Sequence, residues 1–405
     1  MSKHLTGVMV AVISAASLLT APTFADHRPG NVVVMGGTVS LTGRYVEPAG
    51  RQFNGVKLYV DELNESGGLL GHRVKLKIYD DKTDKRTAIE LYQRLITEDR
   101  VDLVLGPYGS LLTDPVANVT ERYRHPIVVG NAGNPAIWER GRKFVFSAPQ
   151  PNIRDRFKGA LYVAKKIGVE KIAIIAAAGP YSRKVFVGAQ EWVKRLGLNV
   201  VFVGRYPGKG IYVPRDFIHL YQGIMAKGAD AILVIGGYPD TVAQLRQLRE
   251  LNIDVKMFAA QIAPSLPKFI EELGSMAEFV VGLPRWLPKP VLAYHGIAEF
   301  VENYEKRYGV KPNYHAAGGY ASMQIFVAAV KEVGSFDPVK VRDALATIRV
   351  ETVEGPWKAN ERGVSAPTER VAFQIQNGKR VIVWPDYAAE ARFLPMPKWA
   401  DRAKK

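Results

Sequence analysis

No cysteine occurs anywhere in the 405 residues. That excludes a disulfide framework, a thiolate metal centre and a lipid anchor on an N-terminal cysteine. Short signatures of several enzyme classes are missing too. No G-x-G-x-x-G follows a strand-like run, since Gly36-Gly37 leads into Thr38-Val39-Ser40, and there is neither a G-K-[ST] phosphate loop nor a G-x-S-x-G elbow. His295 and His315 have no H-x-x-x-H partner, so neither is read as a metal ligand. No segment beyond the first 25 residues holds ~18 uninterrupted apolar residues, so no membrane-spanning helix is expected there. Acid is scarce: 39 Asp and Glu stand against 55 Lys and Arg, a formal charge of +16. The basic residues are scattered, as in Arg154, Arg156, Lys158, Lys165 and Lys166, and no finger, RNA-recognition or basic-zipper pattern accompanies them. They read as solvated helix faces with no nucleic-acid site, although positive potential also favours anionic solutes or an anionic membrane surface.

What is present begins with an export leader. Met1 to Thr6 carries Lys3 and His4, Gly7 to Thr20 is uncharged and largely apolar, and Thr23-Phe24-Ala25 offers small residues at a cleavage site. This is the three-part layout of a secretory signal peptide, residues 1–25, with an apolar run too short to span a bilayer comfortably. The expected product is a free periplasmic protein, long enough for two domains.

Behind the leader, apolar β-rich runs alternate with helix-period segments. Asn31–Val39 reads as a strand, and Phe53, Val56, Val60 and Leu63 then form one stripe of an amphipathic helix that Gly67-Gly68 stops. Val74–Tyr79, Val101–Leu105 and Pro126–Val129 read as further strands, with a helix capped near Thr83 or Asp84. A second series follows: strands at Lys171–Ala178, Val200–Gly204, Ala231–Ile235 and Val255–Ala259, with helices around Val185–Leu196, Arg215–Lys227 and Thr241–Leu251. Helices then dominate from Val291 to Thr347, before β-like Val371–Gln376 and Arg380–Trp384. Strands separated by single helices imply right-handed crossovers and parallel sheets, so the fold class is α/β with two doubly wound lobes.

In such sheets ligands collect beyond the carboxyl ends of strands. The segments there are Ser40–Tyr45, Gly106-Pro107-Tyr108-Gly109-Ser110, Gly130–Asn134, Gly179-Pro180-Tyr181-Ser182, Gly236-Gly237-Tyr238-Pro239 and Ala260-Gln261-Ile262. Glycine lets backbone approach a ligand, N–H groups at helix starts suit a carboxylate, and tyrosine gives a flat wall with a polar tip. Two opposed lobes bearing such loops describe a cleft for a small organic molecule. Asp80-Asp81 is read as a turn, because adjacent residues at a strand end point to opposite sides.

These loops resemble the periplasmic leucine/isoleucine/valine-binding protein family of type I solute-binding proteins. The matching stretches are Ser40-Leu41-Thr42-Gly43, Asn54-Gly55 through Asp61 to Gly71, Tyr79-Asp80-Asp81, Gly106-Pro107 through Ser110, Gly236-Gly237-Tyr238 and Asn377-Gly378-Lys379. The resemblance implies two lobes joined by three crossover segments near Phe144–Ser147, Phe279–Leu283 and Arg349–Gly355. The first lobe would be 26–145 plus 281–348, and the second 146–280 plus 349–405. It implies a monomer, not an enzyme, with no cofactor or metal, closing on a solute and presenting it to an ABC permease in the inner membrane. An exported sensory subunit for a membrane receptor is the alternative on the same fold.

By the same resemblance, Ser110 would hold the ligand carboxylate, and Asn131 and Gly133 would lie in the loop offering backbone groups to it. Tyr181 and Tyr238 would close over the ligand from the second lobe, and Tyr45 would form a side wall. Two departures stand out. Gln261 occupies the position where amino-acid binders place a carboxylate for the ammonium, and Gly133 stands where a threonine often adds a hydroxyl. A carboxylate–ammonium pair is roughly twice as strong as a neutral hydrogen bond, so an amide weakens the case for a zwitterion and leaves an amino acid competing with acids or amides. Glu47 would restore the charge from the opposite loop, but it reads as an exposed residue.

Overall fold

The computed structural model describes residues 31–149, 152–207, 217–289, 292, 294–365 and 371–402. The leader expected at 1–25, and the start of the helix expected at Arg215, lie outside them. The first series runs β1 (Val32–Val39), α1 (Val46–Glu65), β2 (Arg73–Asp80), α2 (Lys85–Thr97), β3 (Leu103–Val104), α3 (Gly109–Tyr123), β4 (Ile127–Val129) and β5 (Val145–Ser147). The second continues with α4 (Lys158–Lys166), β6 (Lys171–Ala177), α5 (Pro180–Arg195), β7 (Asn199–Tyr206), α6 (Ile218–Ala226), β8 (Ala231–Ile235), α7 (Tyr238–Glu250), β9 (Met257–Ala260), α8 (Pro267–Leu273) and β10 (Val281–Gly282). The chain then returns through α9 (Ile297–Tyr308), α10 (Tyr314–Val333) and α11 (Pro338–Leu345). It ends with the hairpin β11 (Val350–Thr352)/β12 (Gly355–Trp357), then β13 (Ala372–Gln376), β14 (Lys379–Trp384) and α12 (Trp399–Arg402).

Among the described residues, β2-β1-β3 form a parallel sheet, with β4-β5 as a separate parallel pair. The larger sheet has the order β14-β13-β10-β9-β8-β6-β7, parallel from β10 to β7 and antiparallel at β13 and β14. Its central strands β8 and β9 are buried at every residue, as apolar strands covered by helices on both faces must be. Each sheet has its own apolar core, so the architecture is two doubly wound lobes joined by crossovers. Val56, Val60 and Leu63 of α1 are buried with Val33 and Met35 of β1, so the predicted helix stripe faces its sheet.

Three expected lobe boundaries shift, the first because residues 146 and 147 pair with β4 and so belong to the first lobe. β10 pairs with β9 and β13, so residues 281 and 282 complete the second sheet rather than open the first lobe's return. Residues 357–365 pack on the first lobe rather than the second. Trp357 is buried in the core of β1 and α1 and donates its indole N–H to Ser147 O at 2.7 Å, while Ser365 N donates to Ser147 Oγ at 2.9 Å. A large aromatic ring with a polar edge finds both its burial and its acceptor only there.

Helix α10 crosses α1 at backbone contact. A Cβ on Gly55 would lie 2.1 Å from Ala316 O, and one on Gly319 would lie 2.1 Å from Gln52 O. These glycines set the interhelix distance and with it the position of the α10 N-terminus. Gly319→Ala is expected to lower unfolding free energy by about 1–3 kcal/mol through overpacking. Gly50→Ala, on α1 where a Cβ meets nothing within 4 Å, is expected to raise it by roughly 0.5–1 kcal/mol. Urea midpoints of the two variants check the contrast, and equal shifts would remove the close crossing from the account.

Candidate functional site

Two aspartates at the end of β2 anchor the first loop. Asp81, fully buried, accepts from Thr38 Oγ1 at 2.7 Å, Ser40 Oγ at 2.5 Å and Thr83 N at 3.0 Å. Asp80 accepts from Leu41 N at 2.9 Å, Thr42 Oγ1 at 2.8 Å and Lys82 N at 2.9 Å. The pair therefore makes its turn and also fixes the Ser40–Tyr45 loop onto the β2 end.

That loop delivers Tyr45 as a half-buried wall. Its ring meets Tyr108 edge-on at 5.3 Å, and Tyr108 Oη lies 3.2 Å from His315 Nδ1 on α10. Gly109 follows Tyr108 at φ +77°, and a Cβ there would lie 3.3 Å from the Tyr45 ring, so both backbone and space demand glycine.

Ser110 stands at the N-terminus of α3. Its Oγ accepts from Asn134 N at 3.0 Å, while Gly109 N donates to Asn131 O at 2.9 Å. The loops after β3 and β4 are thereby stitched together around a helix start. A hydroxyl that accepts one bond still has its O–H to donate, so Ser110 can serve an anion there. Gly133 is exposed on the same loop, with nothing within 4 Å of a Cβ position.

The side chain of Asn131 is spent inside the protein. Its Nδ2 donates to Gln52 Oε1 at 2.9 Å and to His315 O at 3.0 Å, and its Oδ1 accepts from Arg285 Nη1 at 2.7 Å. Asn131 thus positions the loop. Arg285, between β10 and α9, also donates Nη2 to Gly130 O at 2.7 Å and lies 3.7 Å from the Glu354 carboxylate in the β11–β12 turn.

Tyr314, the first residue of α10, is buried with charged groups around it. Burial pushes its phenol above the usual range, Arg285 and Arg156 pull against that, and Tyr181 and Glu47 add to the rise. Arg156 and Tyr181 come from the second lobe, Glu47 from α1. Glu47 lies 3.3 Å from Arg51 Nε and is largely exposed, so its charge is already partnered on its own helix. His315 is held neutral: burial first, then Arg285 and Arg51, push its pKa down to about 3.

On the second lobe, Gln261 is buried just past β9. Its Nε2 donates to Gly236 O at 3.3 Å, its main-chain O accepts from Arg156 Nη2 at 2.9 Å, and its Oε1 has no partner. Tyr181 is exposed at the start of α5. Tyr238 departs from expectation. Its hydroxyl donates toward Glu272 Oε2 at 2.6 Å, with Lys268 O at 3.1 Å and Lys268 Nζ 4.0 Å from the ring centroid. That carboxylate ties its hydroxyl to α8.

The structure therefore brings Tyr45, Ser110, Asn131 and Gly133 together, and places Tyr181, Tyr238 and Gln261 just past β6, β8 and β9 of the other sheet, with the Tyr238 hydroxyl engaged by Glu272. Sequence reasoning named Tyr108 only as part of its loop, did not single out Arg156, Arg285 or Tyr314, and considered His315 only as a metal ligand, which it rejected. Asn313 carried a signal, because its side chain caps α10 by accepting from His315 N and Ala316 N, which fixes where that helix begins.

Comparison with known proteins gives a consistent picture. The family model described as periplasmic binding protein matches residues 32–379. The Leu/Ile/Val-binding protein homolog 7 of Brucella suis biovar 1 is 28% identical over 407 residues, covering 96% of this chain and 98% of the relative. A leucine binding protein of Thermotoga maritima superposes with a TM-score of 0.69 at 23% identity, covering 86% of this chain and 97% of that one. An ABC transporter solute binding protein of Rhodopseudomonas palustris, in complex with 3,4-dihydroxy benzoic acid, superposes with a TM-score of 0.70 at 18% identity, covering 92% and 99%.

Proposed function

This chain belongs to the periplasmic binding protein family, and from that premise we propose that it is the periplasmic receptor of an ABC importer for a small carboxylate-bearing organic solute. The observation that carries this reading is the α3 N-terminus, where Ser110 and the Asn131–Asn134 loop are stitched around a donor-rich point on one wall. Helix starts favour anions, and Ser110 keeps a proton to donate. Tyr45 and Tyr108 form the apolar flank beside it. Closure follows from differential contact: a solute held by the first lobe that also touches the second favours the closed arrangement by its added affinity there.

A relative described as a Leu/Ile/Val-binding protein homolog and a fold neighbour complexed with a dihydroxybenzoic acid both support an organic acid in this cleft. A thermal-shift panel of amino acids, aliphatic acids, aromatic acids and amides tests the reading. A true ligand at a hundred times its dissociation constant should add about 2.7 kcal/mol of stability. Ser110→Ala should weaken that ligand about tenfold or more, the worth of a hydrogen bond to a charged group. No stabilisation by any class of the panel would overturn the proposal.

A further inference from the structure

Arg156, from the second lobe, is a buried positive charge with no acid paired to it among the described residues. Arg156 is only 6% exposed, yet its sole hydrogen bond among the described residues is from Nη2 to Gln261 O, and its buried Nε has no partner. No carboxylate among the described residues pairs with it. A guanidinium has five N–H donors and stays ionised, so one neutral acceptor leaves a buried charge poorly compensated. Glu47 is paired with Arg51, and Glu354 with Arg285. The side chain of Gln261 adds no charge of its own. The partner of Arg156, Gln261, directly follows β9, so Arg156 is held at the carboxyl end of that strand, the end of a parallel sheet where ligands collect.

Each lobe therefore carries an anion-directed feature at the carboxyl ends of its strands: the Ser110 helix start on the first and Arg156 on the second. The geometry points to a solute with an anionic group at each end, a dicarboxylate, with Arg156 as the residue that receives the second carboxylate. An ammonium at that end would face a guanidinium, and an apolar end would leave the guanidinium buried and unpaired. This deepens the reading of the protein as a receptor for carboxylate-bearing solutes and rests on it.

Calorimetry on the full mature protein with matched probes tests it: adipate against hexanoate, terephthalate against benzoate, and leucine as the zwitterion. The dicarboxylate of at least one pair is expected to bind about 10–100-fold tighter than its monoacid, the range for a charge-assisted contact. Arg156→Gln should bring the ratio of dicarboxylate to monoacid affinity down to near one. Gln261→Glu, which places an acid beside Arg156, should also weaken the dicarboxylate selectively. Monoacids or leucine binding as tightly as dicarboxylates would overturn the inference and leave the receptor reading standing. Equal losses for both probes in Arg156→Gln would overturn it as well. Silence of every probe toward the unaltered protein would instead count against the receptor reading itself. The wild-type ranking needs no variant, so a folding defect in Arg156→Gln would not prevent a decision.

Discussion

Replacing Arg285 by alanine is expected to lower the unfolding free energy by about 3–5 kcal/mol, the cost of breaking a buried charge pair from one side. The side chain of Arg285 is 15% exposed and that of Glu354 is 4% exposed. Its removal would strand Glu354, Asn131 Oδ1 and Gly130 O together. Arg285 lies between β10 and α9, Glu354 in the β11–β12 turn and Asn131 after β4, so the same contact joins two distant segments to the loop that carries Asn131. The variant should therefore lose affinity for its solute along with stability.

The pH dependence identifies the mechanism. Burial raises the Glu354 carboxyl to about 7, with Arg285 pulling it down only partly. A carboxyl raised in the folded state binds its proton more tightly there than in the unfolded chain. Its favourable contribution is complete below about 4.5 and is lost as pH rises toward 7. Glu354→Gln should match the wild type at low pH within a constant offset and gain about 3 kcal/mol over it by pH 8. Arg285→Ala should then be more damaging at pH 8 than at pH 5. Guanidinium melts of the single variants and the double variant at both pH values decide this, and a loss independent of pH would assign Arg285 to packing alone.

Much of this molecule was legible one segment at a time. β8 falls at the expected Ala231–Ile235, and Asp84 caps α2 by accepting from Thr87 N at 2.8 Å, one of the two positions named. These elements follow from local pattern: apolar runs, periodic stripes and capping chemistry. Short pairings were not legible. β10 has two residues and the β11–β12 hairpin three in each strand, too brief for any period to register. The site divides the same way. Ser110 and Gly133 announce themselves beside glycines after strands, whereas Arg285 matters only because Asn131, 154 positions away, comes within hydrogen-bond reach. Tyr238 shows the converse: its place at a helix start was clear, but its hydroxyl is decided by Glu272 on another helix.

Acidification should destabilise the protein through two buried histidines, with His315 the one that reports on the site. His315 falls from its ordinary value to about 3, and His125, whose Nδ1 has no partner, falls to about 4 by burial. A histidine depressed in the folded state binds fewer protons there than in the unfolded chain. Its contribution is complete above about 6.5 and is lost as pH falls through that value toward the folded pKa. By pH 4 each ring should have cost about 3 kcal/mol. Protonation of His315 would put a cation at the positive N-terminus of α10, near Arg285, and leave both ring nitrogens as donors, including the Nδ1 that faces Tyr108. His315→Gln should therefore flatten the stability profile between pH 6.5 and 4 by about 3 kcal/mol. His125→Gln should flatten it similarly without changing solute affinity at neutral pH, because His125 lies between α3 and β4. If wild type and His315→Gln lose stability in parallel on acidification, the neutral-ring account of the α10 N-terminus is wrong. If the slope flattens and solute affinity of the wild type falls over the same pH range, one titration couples the fold to the Tyr45–Tyr108–His315 wall.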